Sequence, residues 1–218
     1  MTRDLDKWLE RIARAPDLQT RALRYDEWAE TYDADMRDIG YMNSSVAVAL
    51  VARHVPVSGA RLLDAGVGTG ALGELLRAVG FADLVGIDMS DGMLARARER
   101  SVYRELRKRT LGEPLDFAAA SFTVVVAMGV LAFGGAPPEA LDELVRVTRP
   151  GGHLIFNVAP SPWEDAGFKD KANALESSGR WAHVETAGPY RPMPQSVVRA
   201  DFVTRAFVYR RSPENPAS

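Results

Sequence analysis

The sequence has no cysteine, only three histidines, and almost no excess of charge of either sign. Without cysteine there is no disulfide framework and no zinc or iron–sulfur site built from thiolates. His54, His153 and His183 have no carboxylate or second histidine at metal-ligand spacing, so we predict no metal site. Lysine and arginine total 27 against 29 aspartates and glutamates, which gives a net charge of −2. We therefore predict no nucleic-acid partner, because such partners require a basic surface.

Long hydrophobic runs are also missing. The longest nearly unbroken run, Val124–Phe133, is about half of the ~20 residues that a membrane-spanning helix needs. The first ten residues alternate charged and apolar side chains and contain no apolar core of a signal peptide. We expect a cytoplasmic protein without a membrane partner, as a monomer or a homodimer.

The 218 residues are enough for one domain, and the hydrophobic periodicity divides the chain into three segments. Residues 1–58 have helical spacing and are predicted to form an N-terminal helical lid. Residues 59–211 are predicted to form the main, ligand-binding domain. Residues 212–218 are predicted to be a disordered tail.

Three helices are predicted within the lid segment. The first ends at Pro16, and the second covers Ala22–Met36, where apolar residues recur every three or four positions. The third covers residues 46–52, with Ser44 or Ser45 as its N-cap.

From residue 60 onward, short apolar runs alternate with helical patterns. The predicted strands are Arg61–Ala65, Leu84–Asp88, Leu106–Leu111, Phe122–Met128 and His153–Val158. This alternation predicts a parallel, doubly wound sheet with helices on both faces. The last two segments, Trp181–Thr186 and Phe202–Arg210, have no helical pattern between them and are predicted to form an antiparallel hairpin at the sheet edge. The predicted fold is thus a Rossmann-like α/β fold with a mostly parallel, seven-stranded sheet.

The loop after the first strand is the expected ligand site, because ligands bind at the carboxyl ends of strands in such sheets. It reads Asp64-Ala-Gly66-Val-Gly68-Thr-Gly70. Glycines at alternate positions let a flat nucleoside lie against the main chain. Dinucleotide sites have the spacing Gly-x-Gly-x-x-Gly instead, and the carboxylate of Asp64 favours a ligand with cationic groups. Asp88 follows Gly70 by 18 residues, near the spacing at which an acid accepts hydrogen bonds from ribose.

These residues resemble the class I S-adenosylmethionine-dependent methyltransferases. Residues 64–70 are similar to their first motif, Asp88 to their ribose-binding acid, and Arg149–Gly152 to the turn before their fifth strand. More narrowly, Tyr25–Asp33 and Ala174–Trp181 are similar to the Williams-Beuren-region methyltransferase-like branch. The resemblance implies S-adenosylmethionine as the cofactor and methyl transfer to a small-molecule substrate.

The loop and the resemblance together give a set of expected cofactor-binding residues. They are Tyr32, Asp64, Ala65, Gly66, Gly68, Gly70, Asp88, Met89, Thr110, Leu111 and Met128. No catalytic pair is recognisable, and methyl transfer needs a general base only when the acceptor is a weak acid. Tyr32, Tyr41 and His183 are the candidates for catalytic residues.

Two positions depart from the family pattern. Thr110 stands where an acid commonly binds the adenine amino group, and Thr123 follows Phe122 where the fourth strand usually has an aspartate. These departures leave open a second function, a methyltransferase-like protein that keeps the cofactor pocket without methylating. A nicotinamide-dependent dehydrogenase is a third alternative, opposed by the glycine spacing.

Overall fold

The computed structural model describes residues 2–131, 135–197, 199 and 201–213, with the backbone alone for residues 2–6. Most of the expected disordered tail, from residue 214 onward, lies outside the described residues, as does the end of the apolar run at 132–133. None of the helices in the described part of the chain has the length and apolar composition that a membrane span requires.

The described strands form one seven-stranded sheet in the order β3-β2-β1-β4-β5-β7-β6. They are β1 (Arg61–Ala65), β2 (Asp83–Asp88), β3 (Glu105–Lys108), β4 (Phe122–Ala127), β5 (Thr148–Val158), β6 (Trp181–Tyr190) and β7 (Thr204–Arg211). The first five strands pair in parallel, whereas β7 runs antiparallel to β5 and β6. The predicted fold class is confirmed, including the C-terminal hairpin.

Helices cover both faces of the sheet. They are α1 (Thr2–Ala13), α2 (Leu18–Trp28), α3 (Tyr32–Asp38), α4 (Asn43–His54), α5 (Ala71–Ala78), α6 (Asp91–Glu99), α7 (Ala140–Val147), α8 (Pro160–Asp165) and α9 (Phe168–Ser177). Alternate side chains of a strand point to opposite faces, so Leu62 packs with α4 and α5, while Leu63 packs with α7 and α9. Every residue of β4 is buried, as expected for a central strand with both faces covered.

The lid segment differs from its prediction in two places. The helix predicted over Ala22–Met36 is interrupted after Trp28, and α3 begins at Tyr32. The indole Nε1 of Trp28 donates to Asp35 Oδ2 at 2.7 Å across this break, a contact that periodicity cannot reveal. The third helix begins at Asn43, so Ser44 lies inside it and no side chain caps its start.

Two helices in the C-terminal third were not predicted. The segment 160–177 is rich in helix-breaking and small residues, yet α8 begins at Pro160, where the first turn tolerates proline. The next helix, α9, buries Phe168, Ala172 and Leu175 against the sheet. Their spacing of three and four residues is the signal that could have located this helix.

Candidate functional site

A cavity of about 270 Å³ opens at the carboxyl ends of β1, β2 and β4. The strand order reverses between β1 and β4, which is where ligands bind in doubly wound sheets. We call one wall the loop side; it comprises Gly66, Gly68, Asp88, Met89, Thr110, Leu111 and Met128. We call the opposite wall the lid side; it comprises Leu9, Ile12, Leu18, Arg21, Met36, Met193, Arg199 and Phe202.

The glycine loop has a backbone conformation that only glycine adopts without strain. Gly66 has φ +90°, and a Cβ there would lie 2.2 Å from Val130 Cγ1. Gly68 has φ +52°, but the space where its Cβ would point is open, with no atom within 4 Å. The loop therefore leaves room beside Gly68 for a ligand to lie against the main chain.

Asp88 is the acid of the loop side. Its Oδ2 accepts a hydrogen bond from Gly68 N at 2.8 Å, and its Oδ1 accepts one from Ser90 N at 2.9 Å. Burial raises the pKa of Asp88, and the backbone N–H groups of Ser90, Gly68 and Met89 oppose that rise. Because each carboxylate oxygen has two lone pairs, each can accept one further hydrogen bond from a ligand.

Asp64 lies elsewhere, although the sequence placed it beside Asp88. Only 3% of the residue is exposed, and it does not line the cavity. Strand alternation puts Asp64 on the face that carries Leu62, beneath α5, where it accepts a hydrogen bond from Tyr103 Oη at 2.6 Å. Burial raises the pKa of Asp64 to about 7. The expectation that Asp64 faces a cationic ligand is therefore wrong for its side chain.

Some of the other residues expected to bind the cofactor line the cavity, and some do not. Tyr32, Met89, Thr110, Leu111 and Met128 line the cavity. Ala65 and Gly70 do not, because Ala65 is a core residue of β1 and a Cβ at Gly70 would point at Arg100 and Tyr103. These two residues contact the core side of the loop, away from the cavity.

Thr123, the second departure from the family pattern, also lies outside the cavity. It is buried in β4, and its Oγ1 accepts a hydrogen bond from Arg61 N at 3.2 Å. Its contact is therefore between neighbouring strands, away from the cavity.

Polar side chains join the helices of the lid segment to the loops that follow β1 and β2. On α2, Asp26 accepts hydrogen bonds from Ser90 Oγ at 2.6 Å and from Gly92 N at 2.8 Å. A Cβ at Gly92 would lie 2.8 Å from the Asp26 Cα, so glycine permits this close approach of α2 and α6. Ser90 is also the N-cap of α6, where its side chain accepts a hydrogen bond from Met93 N.

A second anchor lies on α3. Asp33 accepts hydrogen bonds from the Thr69 hydroxyl of the glycine loop and from Arg100. Arg100 Nε in turn donates to the Thr69 carbonyl oxygen at 2.6 Å. The position of the lid is thus coupled directly to the main chain of the loop.

Three tyrosines border the cavity on the lid segment. Tyr25 and Tyr32 pack against Trp28, and Tyr41 Oη accepts a hydrogen bond from Asn43 Nδ2 at 2.8 Å. Burial raises the pKa of all three phenols. They therefore stay protonated near neutral pH, and in that form they cannot accept a proton from an acceptor as a base.

His183, the third catalytic candidate, lies outside the cavity. It sits on the exposed edge strand β6, where its Nε2 lies 2.8 Å from Thr186 Oγ1. The sheet order places β7 and β5 between this strand and β4, so the expectation of an acceptor-side base is wrong. His54 and His153 lie near each other, with His54 Nε2 2.6 Å from Glu185 Oε2. Within the described residues, no group of side chains has the composition of a metal site.

Several cavity residues were missed by the sequence analysis. A polar group joins β4, β5 and β7: Asn157 Oδ1 accepts from Gly129 N at 2.6 Å, and Asn157 Nδ2 donates to Thr204 Oγ1 at 3.2 Å. Asn43 joins α4 to β6 by accepting from Tyr190 Oη at 2.9 Å. No local pattern marks these residues, since they meet only through the sheet order. The apolar spacing that marked Leu9 and Ile12 as helical did not show which surface they cover.

The chain is similar to known methyltransferases. Residues 63–156 match the model of a methyltransferase domain. Human methyltransferase-like protein 27 is 36% identical over 173 residues, which cover 76% of this chain and 70% of that protein. The chain spans 53% and 61% of the next two curated relatives.

Solved structures share the fold at lower identity. A chain from the complex between the Trm112 methyltransferase activator and a methyltransferase of Haloferax volcanii has a TM-score of 0.65 and 19% identity, covering 89% of this chain and 98% of that one. Magnesium protoporphyrin IX methyltransferase from Synechocystis, solved with bound S-adenosylmethionine, has a TM-score of 0.60 and 16% identity, covering 97% and 93%. The chain belongs to the class I S-adenosylmethionine-dependent methyltransferases, in the family of methyltransferase-like protein 27, and S-adenosylmethionine is its cofactor.

Proposed function

We propose that the protein transfers the methyl group of S-adenosylmethionine to a small molecule held on the lid side of the cavity. The observation that carries this proposal is the composition of the two walls. The loop side has a cradle beside Gly68 and an acid, Asp88, that can still accept hydrogen bonds. The lid side is mostly apolar and is built from helices and from the segment before β7, so the space between the walls suits a compact acceptor.

We assign the cofactor to the loop side. The carboxylate of Asp88 would accept hydrogen bonds from the ribose hydroxyls, since each of its oxygens keeps an unused lone pair. Met89 and Leu111 would flank the adenine, and the Thr110 hydroxyl would take the place of the acid that is usual there. The open space beside Gly68 fits a ligand lying on the main chain.

The cofactor supplies a methyl group on a positively charged sulfur, which leaves as a neutral thioether when a lone pair of the acceptor bonds to the methyl carbon. The protein must mainly align the acceptor with this carbon and exclude water. The apolar lid side and the protonated phenols of Tyr32 and Tyr41 suit these tasks, as hydrogen-bond donors that orient an acceptor. Residues 1–58 would act as the lid, anchored through Asp26 and Asp33.

The test is incubation with S-adenosylmethionine labelled in the methyl group and three separate acceptor pools from bacterial cells: metabolites below about 1 kDa, total protein and total RNA. We expect labelled product in the metabolite pool, and none with the Asp88→Ala variant. Label that enters only protein or RNA would overturn the assignment of a small-molecule acceptor. Binding of the cofactor without label transfer to any pool would favour a protein that keeps the pocket without methylating.

A further inference from the structure

The lid side carries positive charge on an otherwise apolar surface. Arg21 on α2 and Arg199 in the segment before β7 both line the cavity. Among the described residues that line the cavity, the only acid is Asp88, which belongs to the opposite wall. A third cavity arginine, Arg109, donates a hydrogen bond from its Nε to Asp116 Oδ1 at 2.7 Å.

The two arginines differ in their surroundings. Arg21 is only 5% exposed, which is rare for a charged side chain in a cavity wall. Arg199 is half-buried, and its guanidinium carbon lies 5.9 Å from the ring centroid of Phe202. No described residue accepts a hydrogen bond from the Arg199 guanidinium, so its donors are available to a ligand in the cavity.

The rest of the lid side is apolar. Leu9, Ile12, Leu18, Met36 and Met193 contribute aliphatic surface, which attracts an apolar body by removing it from water. A guanidinium beside such a surface is most favourable when an anion neutralises it, because a charge held away from water loses solvation.

We propose that the methyl acceptor is an apolar molecule that carries a carboxylate or another anionic group, which Arg199 binds while the lid side covers the apolar body. This inference deepens the proposed function and rests on it. Arginine suits this role because its planar fork of donors matches the two oxygens of a carboxylate. Arg199 is a positioning residue here, since it holds the acceptor at a group that need not be the one methylated.

The experiment measures binding by calorimetry to the full chain saturated with S-adenosylhomocysteine. The probes are 1-naphthoate, 1-naphthamide and 1-naphthylmethylammonium, which share a flat apolar body but are anionic, neutral and cationic. We expect the anion to bind at least about tenfold more tightly than the amide, from one or two charge-assisted hydrogen bonds. The cation should bind most weakly. Equal affinities, or tighter binding of the amide or the cation, would overturn the proposal.

Variants of Arg199 test whether this side chain causes the preference for the anion. Arg199→Gln should reduce the preference about tenfold, and Arg199→Lys should restore part of it because it keeps the charge. Arg24→Gln is the matched control; it removes one arginine charge from α2, outside the cavity wall, and should leave the preference unchanged.

The cofactor also has a carboxylate, and the same variants separate the two roles. Affinity for S-adenosylhomocysteine should stay within about twofold of the wild type in Arg199→Gln. If Arg199→Gln instead weakened the binding of S-adenosylhomocysteine and left the preference for naphthoate intact, Arg199 would serve the cofactor and the proposal would be wrong. If wild-type protein did not bind S-adenosylmethionine at all, the proposed function itself would be wrong. Binding of S-adenosylmethionine is therefore measured before any naphthalene probe is added.

Discussion

The two walls of the cavity are built in opposite ways. The loop side comes largely from strand ends and the loops that follow them, and its main polar contacts involve backbone N–H groups held by Asp88. The lid side comes from α1, α2, α3 and the segment before β7, and its contacts are made by long apolar and cationic side chains. Under the proposed function, the wall that presents main-chain groups binds the cofactor, and the wall that presents long side chains binds the acceptor.

Replacing Asp88, the acid of the loop side, should have the largest effect, and it should appear in the affinity for S-adenosylmethionine. Asp88→Ala removes two expected hydrogen bonds to ribose and leaves Gly68 N and Ser90 N without their acceptor. Two charge-assisted bonds are worth about 3 kcal/mol, so calorimetry should show about a 100-fold weaker affinity for S-adenosylmethionine. Asp91→Ala, at an exposed ion pair with Lys108, should leave the affinity unchanged. An unchanged affinity of the Asp88→Ala variant for S-adenosylmethionine would contradict the assignment of the cofactor to the loop side.

Asp64 should contribute to the pH dependence of the free energy of unfolding, whereas Asp88 should contribute to cofactor binding. Its raised pKa of about 7 means that the folded state holds a proton that the unfolded state releases near pH 4. The folded state therefore binds more protons between these values, and the free energy of unfolding should fall by about 2 kcal/mol from pH 5 to pH 7 on account of this group.

The Asp64→Asn variant tests this directly. Urea unfolding at several pH values should show that the variant lacks the part of the slope that Asp64 contributes, whereas Asp83→Asn, at a partly exposed acid, should keep it. The same pH slope in wild type and Asp64→Asn would contradict the buried position of the carboxylate.

The Gly68→Ala variant tests whether the cofactor lies against the main chain of the glycine loop. Gly68→Ala places a methyl group in the open cradle and strains a backbone with φ +52°. We expect about tenfold weaker binding of S-adenosylmethionine and a loss of stability of about 1 kcal/mol. Gly59→Ala is the matched control, because Gly59 has φ +69° and open space around it but lies outside the cavity. It should lose similar stability with no change in affinity.

The smallest expected effect concerns the attachment of the lid. Asp26→Ala removes the acceptor of Ser90 Oγ and Gly92 N, and because water can reach this partly exposed site we expect about 1 kcal/mol lower stability. Hydrogen exchange should become faster in α2 and stay unchanged in β1. Glu30→Ala, at an exposed acid just after α2, is the control. Equal acceleration in α2 and β1 would show that the lid is not a separate unit.

The sequence reveals local features well and long-range ones poorly. Strand positions and the glycine loop depend on residues close to one another in the chain, and the structure contains both, although the third strand ends at Lys108 and not at Leu111. The break after Trp28 and the helices of segment 160–177 were missed, because a tertiary hydrogen bond and a buried helix face decide them. His183 was misplaced for the same reason, since its distance from the cavity depends on the order of strands.

Sequence alone determined the fold class, because hydrophobic periodicity is a property of neighbouring residues. The resemblance of its motifs to the class I methyltransferases supplied the family and the cofactor, and motif spacing together with this resemblance singled out Asp88. Tertiary structure alone decided which acid faces the cavity. Asp64 and Asp88 end adjacent strands, yet one side chain points beneath α5 and the other into the open space. Tertiary structure also brought Arg21 and Arg199 to one wall, across most of the chain length, because only packing of the lid on the sheet joins those segments.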